Sequence, residues 1–273
     1  MMRKIKIQQS EFDGVQALRG KFTLLGNPFT FCSYVVDHCM IDTGPACARK
    51  EIFQFATDFH VEQMVLTHHH EDHSGNAFAL SRHGFGPVFM SQQTQAQIQQ
   101  LHVPLYRQLA WGNKGNMKAS VREELLTDRL CTKNYNFEVV HTPGHTADHI
   151  CLVEVERGWA FTGDLYLGNK LHYGMKGESV AQQITSLKAV LSFPIQIVFC
   201  GHAGVVVNGR EALEKKLDFL EWLTEETKER WEQGLDEKEI AKELLPRYPL
   251  IPFLSQGEMS PVHLIHSVIH ECK

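Results

Sequence analysis

The sequence predicts a mixed α/β body over residues 1–208 with a helical extension over residues 209–273. Three observations carry this. Short apolar runs of strand length alternate with amphipathic helical patterns through most of the chain. From Gly209 onward the pattern changes to long helical stripes. At 273 residues with 43% hydrophobic and 22% charged, the chain can bury a large core.

The elements follow in order. Lys21–Leu25, Phe31–Val36 and Cys39–Asp42 read as strands, the last two joined by a tight turn at Asp37-His38. Ile52, Phe53, Phe55, Ala56 and Phe59 put one apolar face on a helix over Ala48–Phe59. Val61–Thr67 is a strand that runs into a histidine cluster. Asn76–His83 is a helix, Val88–Ser91 a short strand, and Thr94–Leu101 a Gln-rich helix. Residues 102–133 carry no clear period and read as a lid or a surface excursion. Strands resume at Phe137–His141, Ile150–Val155, Trp159–Thr162 and Ile195–Cys200, with a helix over Val180–Phe193. Leu213, Leu217, Leu220 and Leu223 form one stripe of a helix over Arg210–Gln233, which Gly234 ends. Asp236 with Glu239 makes a capping box, and Ser260-Pro261 starts a last helix, Val262–Glu271.

Composition narrows the function. Lys+Arg 27 against Asp+Glu 32 gives a net charge of −5, and no Lys/Arg cluster is visible. A nucleic-acid partner would ask for a basic face. No apolar run reaches the roughly 18 residues of a membrane helix. The basic start lacks the apolar segment of a signal peptide. The seven cysteines are scattered, with no C-x-x-C pair. That pattern disfavours a disulfide framework and fits a reducing cytoplasm, with Cys151 and Cys200 as buried small apolar groups. Histidine, at 16, is the unusual count. It is also the commonest metal ligand.

Spacing gives that count its meaning. After the Val61–Thr67 strand comes His68-His69-His70-Glu71-Asp72-His73, which contains H-x-H-x-D-H. Alternate residues of an extended segment point the same way, so His68 and His70 can hold one ion together. A turn then lets Asp72 and His73 face a neighbouring position, while His69 and Glu71 point away. Imidazole plus carboxylate suits zinc, and iron or manganese as well. Three more signals lie where strands meet loops: Thr142-Pro143-Gly144-His145-Thr146, Thr162-Gly163-Asp164 and Cys200-Gly201-His202. Glycine at each lets the backbone turn tightly and approach an ion.

In this order, and with Ile41-Asp42-Thr43-Gly44 before them, these motifs resemble those of the metallo-β-lactamase superfamily. The resemblance spans residues 41–202. It implies a four-layer αβ/βα sandwich of two mixed sheets, with the site at one edge. It assigns His68, His70 and His145 to a first metal, Asp72, His73 and His202 to a second, and Asp164 to a bridge between them. The implied cofactor is two divalent ions, zinc foremost. Asp42 would hold a ligand histidine from behind. His149 stands where relatives read T-P-G-H-T-x-G-H, but Asp148 here replaces the glycine. Tyr166 and His172 are candidates for the pocket wall.

The ligand set is most similar to the glyoxalase II and lactonase branches. It is less similar to the flavo-di-iron branch, which has Glu where this chain has His70. The implied reaction is hydrolysis of an ester, thioester or lactone carbonyl of a small molecule by a metal-bridging hydroxide. Asp72 or Asp164 would serve proton transfer. The alternatives are a phosphodiesterase or nuclease of the same fold, a persulfide dioxygenase with a single iron, and a metal-holding scaffold. The C-terminal helices are expected to cover the edge of the site or to mediate a homodimer.

Overall fold

The computed structural model describes residues 4–24, 26–100, 103–112, 122–246 and 250–271. The first sheet holds β1 (Lys6–Phe12), β2 (Val15–Leu24), β3 (Asn27–Val36), β4 (Cys39–Ile41), β5 (Gln63–Val65), β6 (Val88–Met90) and β7 (Glu123–Leu125), neighbours in that order. It is antiparallel from β1 to β4 and parallel from β4 to β7. The chain then enters the second sheet through β8 (Arg129–Cys131), β9 (Asn136–His141), β10 (Ile150–Glu154) and β11 (Trp159–Gly163). After β12 (Gly174–Met175) come β13 (Ile197–Cys200) and β14 (Gly204–Val206), and this sheet reads β14-β13-β11-β10-β9-β8. β12 pairs instead with β15 (Met259–Ser260) in a two-stranded ribbon.

The helices are α1 (Arg49–Asp58), α2 (Glu71–Ser74), α3 (Ala77–Arg82), α4 (Gln92–Gln100), α5 (Leu105–Trp111), α6 (Val180–Leu191), α7 (Gly209–Glu232), α8 (Glu237–Leu244), α9 (Leu250–Leu254) and α10 (Pro261–Glu271).

Strand periodicity sorts side chains into layers. Cys39 and Ile41 face the other sheet, while Met40 faces the helices of its own side. In β10, Ile150 and Leu152 point between the sheets, and Cys151 and Val153 point outward. The inter-sheet layer is aromatic, with Phe161 stacked on Phe199 at 4.5 Å and Tyr34, Phe137 and Trp159 around them. Ile52, Phe55 and Leu80 cover the outer face of the first sheet. Residues of α6, α7, α8 and α10 cover the second. The result is helix, sheet, sheet, helix. Two apolar faces per sheet demand this arrangement.

Several expectations shift. β1 is absent from the sequence reading because Lys6–Phe12 is polar, as suits an edge strand that is mostly exposed. The readable signal was the turn: Asp13 and Gly14 both take positive φ (51° and 83°), as a two-residue hairpin turn requires. The first expected strand, Lys21–Leu25, is only the end of β2, and its Leu25 lies outside the described residues. Leu101, the end of the expected Gln-rich helix, does too. Residues 102–133 are not a plain irregular excursion. They contain α5 and the edge strands β7 and β8 of both sheets, with 113–121 outside the described residues. The capping box at Asp236 and Glu239 is present.

Candidate metal centre

The histidine run does not continue β5 as an extended strand. Residues 68–70 form bends and α2 follows at once, carrying Asp72 and His73. This compact path still brings the His68 and His70 rings to 4.7 Å and the His68 and His73 rings to 4.2 Å. The loop after β9 supplies His145, the end of β11 supplies Asp164, and the end of β13 supplies His202. Two groups of donors result: His68, His70, His145 and Asp164, and beside them Asp72, His73 and His202. Within each group the donor atoms lie within 4.8 Å of one another.

Asp164 stands between the groups. Its Oδ2 is 3.3 Å from His145 Nε2, and its Oδ1 is 3.2 Å from both His73 Nε2 and His202 Nε2. His145 Nε2 is 3.1 Å from His70 Nδ1, and His202 Nε2 is 3.4 Å from Asp72 Oδ2. Two donors bound about 2.0–2.1 Å from one ion at tetrahedral or octahedral angles lie roughly 2.9–3.4 Å apart. The donor set therefore fits divalent cations in both chemistry and spacing. His68 Nε2 is buried without a hydrogen-bond partner, and the buried His73 Nε2 and Asp164 Oδ1 lie 3.2 Å from each other, with His202 Nε2 3.2 Å from the same oxygen. Left unmet, the His68 nitrogen would cost about 1–3 kcal/mol.

The far sides of the rings are held. Asp42, in left-handed backbone at φ 55°, sits 2.7 Å from His73 Nδ1 and accepts from the Thr67 amide and hydroxyl. Thr67 Oγ1 lies 3.1 Å from His68 Nδ1. Glu178 Oε1 lies 2.6 Å from His145 Nδ1, and the Thr30 carbonyl faces His202 Nδ1. His149 accepts from the Asp164 amide at 3.0 Å and meets Thr142 Oγ1 at 2.8 Å, so it fixes the backbone under the central carboxylate. Asp148, the departure from the pattern, holds His69 through two hydrogen bonds, to its amide at 2.9 Å and to Nδ1 at 2.8 Å. Glu71 pairs with Arg107 of α5 at 2.6 Å.

Two glycines make room. A Cβ on Gly201 would stand 2.6 Å from His73 Cε1 and 2.9 Å from Asp164 Oδ1. Gly163 has φ +44°, and a Cβ there would strike His149 Nε2 and Thr67 Oγ1 at 2.7 Å.

The protein's own charges polarise the cluster. Burial holds His68 and His70 well below the ordinary histidine value. Burial acts the same way on His73 and His202, but Asp164 and Asp72 outweigh it, aided by Asp42 at His73. His73 rises well above its usual value and His202 to about 9. Burial would raise the Asp164 carboxyl, yet His202 and His73 hold it well below the carboxylate range.

The cluster forms the floor of a cavity of about 730 Å³. Its walls are largely apolar: Phe29, Leu105, Leu109 and Trp111 on one side, Leu171, Met175, Phe253 and Met259 on the other. His172 lines it, whereas Tyr166 is absent from the lining. The Tyr166 ring packs in the outer core of the second sheet, with its hydroxyl on Asn169. The C-terminal segment does reach the site edge, through Phe253–Gln256 and Met259. No helix among the described residues is long and apolar enough to cross a membrane.

Sequence reasoning missed Glu178, Thr67 and Arg107. Arg107 left no signal in the sequence, because its pairing with Glu71 shows only once both are seen to be buried.

Facing mixed sheets between helix layers, with a His/Asp cluster at the strand ends, define a four-layer sandwich with a candidate divalent-metal centre at its edge. The chain belongs to the metallo-beta-lactamase superfamily, whose profile matches residues 28–202. It is similar to a hydroxyacylglutathione hydrolase from Haemophilus influenzae, 28% identical over 66% of this chain and 88% of the relative. An atrochrysone carboxyl ACP thioesterase from Aspergillus fumigatus is 27% identical over 73% of this chain. The alignments cover 58% of that thioesterase and 61% of a Bdellovibrio bacteriovorus hydroxyacylglutathione hydrolase. Among solved structures, a metallo-beta-lactamase family protein from Thermus thermophilus superposes with TM-score 0.63 at 17% identity, covering 99% of this chain and 93% of that one. The relatives are named hydrolases and thioesterases.

Proposed function

We propose that the chain hydrolyses the carbonyl of a small ester, thioester or lactone with an apolar acyl part, using two divalent ions. The observation that carries this is the pairing of a His/Asp floor with an apolar wall. Among the described residues lining the cavity, Arg107 is the one Lys or Arg, and Glu71 already pairs with it. A nucleic-acid strand, with one charge on every phosphate, would find no unpaired lysine or arginine along those walls, whereas an acyl chain would find an apolar surface to lie on. Relatives named thioesterase and hydroxyacylglutathione hydrolase support the same reading.

In this reading His68, His70, His145 and Asp164 hold one ion, and Asp72, His73, His202 and Asp164 the other. Zinc suits the donors best, with iron or manganese compatible. When bound, the ions would supply a Lewis acid for the carbonyl oxygen and would lower the pKa of a bound water. The chain does the rest. Glu178, Asp42 and the Thr30 carbonyl orient His145, His73 and His202 from behind. The apolar walls take the acyl group and exclude bulk water, which strengthens the electrostatics at the floor. As the water oxygen bonds to the carbonyl carbon, Asp72, which lines the cavity, takes the proton that water gives up and passes it to the leaving oxygen or sulfur as the acyl bond breaks and the acid forms.

The test is metal analysis of purified protein, then a panel of thioester, lactone and bis(p-nitrophenyl) phosphate substrates. Asp164→Ala is expected to lower metal content and to reduce kcat/KM by at least about a thousandfold, or roughly 4 kcal/mol of transition-state stabilisation. Full metal content in that variant refutes the bridging role. Turnover of the phosphodiester alone overturns the carbonyl reading.

A further inference from the structure

Outside the central cluster, one other set of metal-type donors converges among the described residues: Glu237, His266 and His270. We propose that these three side chains form a separate, peripheral site for a late first-row divalent cation. His266 and His270 lie one turn apart on α10, where an i,i+4 pair shares a face. Their rings are 4.2 Å apart. Glu237 comes from the first turn of α8, and its Oε1 stands 2.9 Å from His266 Nδ1 and 3.0 Å from His270 Nε2. Both nitrogens are thus directed at one carboxylate oxygen. These separations fall in the range that neighbouring ligands of one ion adopt.

Two imidazoles and one carboxylate favour Zn²⁺, Co²⁺, Ni²⁺ or Cu²⁺ over Ca²⁺ or Mg²⁺, which prefer oxygen. The residues are partly exposed, so water completes the coordination. The scaffold beneath is firm. Ile240 and Ala241 of α8 and Ile265, Val268 and Ile269 of α10 belong to one core. α10 also backs the β12–β15 ribbon: a Cβ on Gly174 would stand 2.8 Å from Leu264 Cδ2. Met175 and Met259 of that ribbon line the cavity. A cation joining α8 to α10 therefore braces the far side of the cavity wall.

The experiment titrates Zn²⁺ into protein whose central cluster is already zinc-loaded, read by calorimetry and by metal analysis after equilibrium dialysis. The wild type is expected to take one further equivalent. Glu237→Gln and the double variant His266→Gln/His270→Gln should each bind it at least about tenfold more weakly, with hydrolysis unchanged. At free zinc about a hundredfold above the wild-type Kd, the folded-to-unfolded ratio should rise about a hundredfold in the wild type and at most about tenfold in either variant. No further uptake by the wild type, or equal uptake by both variants, overturns the proposal. Neither outcome bears on the carbonyl hydrolase reading, which rests on the other cluster.

Discussion

Residues that never touch an ion set the quality of this centre. Glu178 fixes the ring of His145 from 2.6 Å, and burial alone would push that histidine's pKa down. The carboxylate reverses the shift, so His145 rises above its ordinary value. Glu178→Gln keeps an acceptor but loses the charge. The expected cost is about tenfold to a hundredfold in metal affinity or kcat/KM, at near-constant Tm. Metal titration of the variant beside the wild type checks it. An unaltered affinity would leave Glu178 as a plain packing residue. Gly201→Ala belongs to the same scale. Its methyl would have to displace His73 or Asp164, so metal should be lost while the far-UV spectrum persists. The residues legible in the sequence were those with local spacing, such as His68, His70, Asp72 and His73. Glu178 was not, because it meets His145 across 33 residues and belongs to no motif. The Thr30 contact to His202 is a backbone carbonyl, which leaves no side-chain signature.

At the scale of elements, the sequence revealed those with an apolar face and hid those without one. The strands Phe137–His141 and Ile150–Val155 were found within a residue at each end, because burial on one or both faces forces a pattern. β7 and β8 are three-residue edge strands with little buried surface, and they read as irregular. α7 carries a feature that its stripe concealed. Lys216 is fully buried, and its Nζ donates to the Leu165 carbonyl at 2.6 Å. Burial lowers its pKa from 10.5 to about 8. For a base depressed in the fold, the charged form is the disfavoured one. The full cost of the buried charge is therefore present below pH 8. It is relieved as pH rises from 8 toward 10.5, where the unfolded chain still binds the proton. Lys216→Met should remove this slope, so the wild type gains on the variant by up to about 3 kcal/mol between about pH 7 and about pH 10. Urea midpoints of both proteins at the two pH values test it. A constant difference would mean that Lys216 is charged at no cost.

For the whole molecule, the question is whether residues 209–273 are an appendage or part of the fold. The change of pattern at Gly209 invites the first view, but the packing argues for the second. Leu213, Leu220 and Leu223 of α7, Ile240 of α8, and Leu264, Ile265 and Val268 of α10 are buried in one cluster with Cys151, Val153, Ala160 and Val198 of the second sheet and Leu187 of α6. Each such large side chain contributes about 1.5–3 kcal/mol on burial. The seven from the C-terminal helices together contribute roughly 10–20 kcal/mol, as much as the whole net stability of a typical domain, about 5–15 kcal/mol. A chain ending at residue 208 would also expose the outer face of the second sheet. It would lose Phe253 and Met259 from the cavity wall as well. The expected outcome is a truncated protein that is insoluble or lacks a cooperative unfolding transition, and that holds no metal because β11 and β13, whose ends lead directly into Asp164 and the Gly201-His202 turn, are no longer fixed. Circular dichroism melting and metal analysis of residues 1–208 decide it. A soluble, cooperatively melting, metal-loaded fragment would show that the sandwich closes without its fourth layer. The C-terminal helices would then serve only to shape the mouth of the cavity.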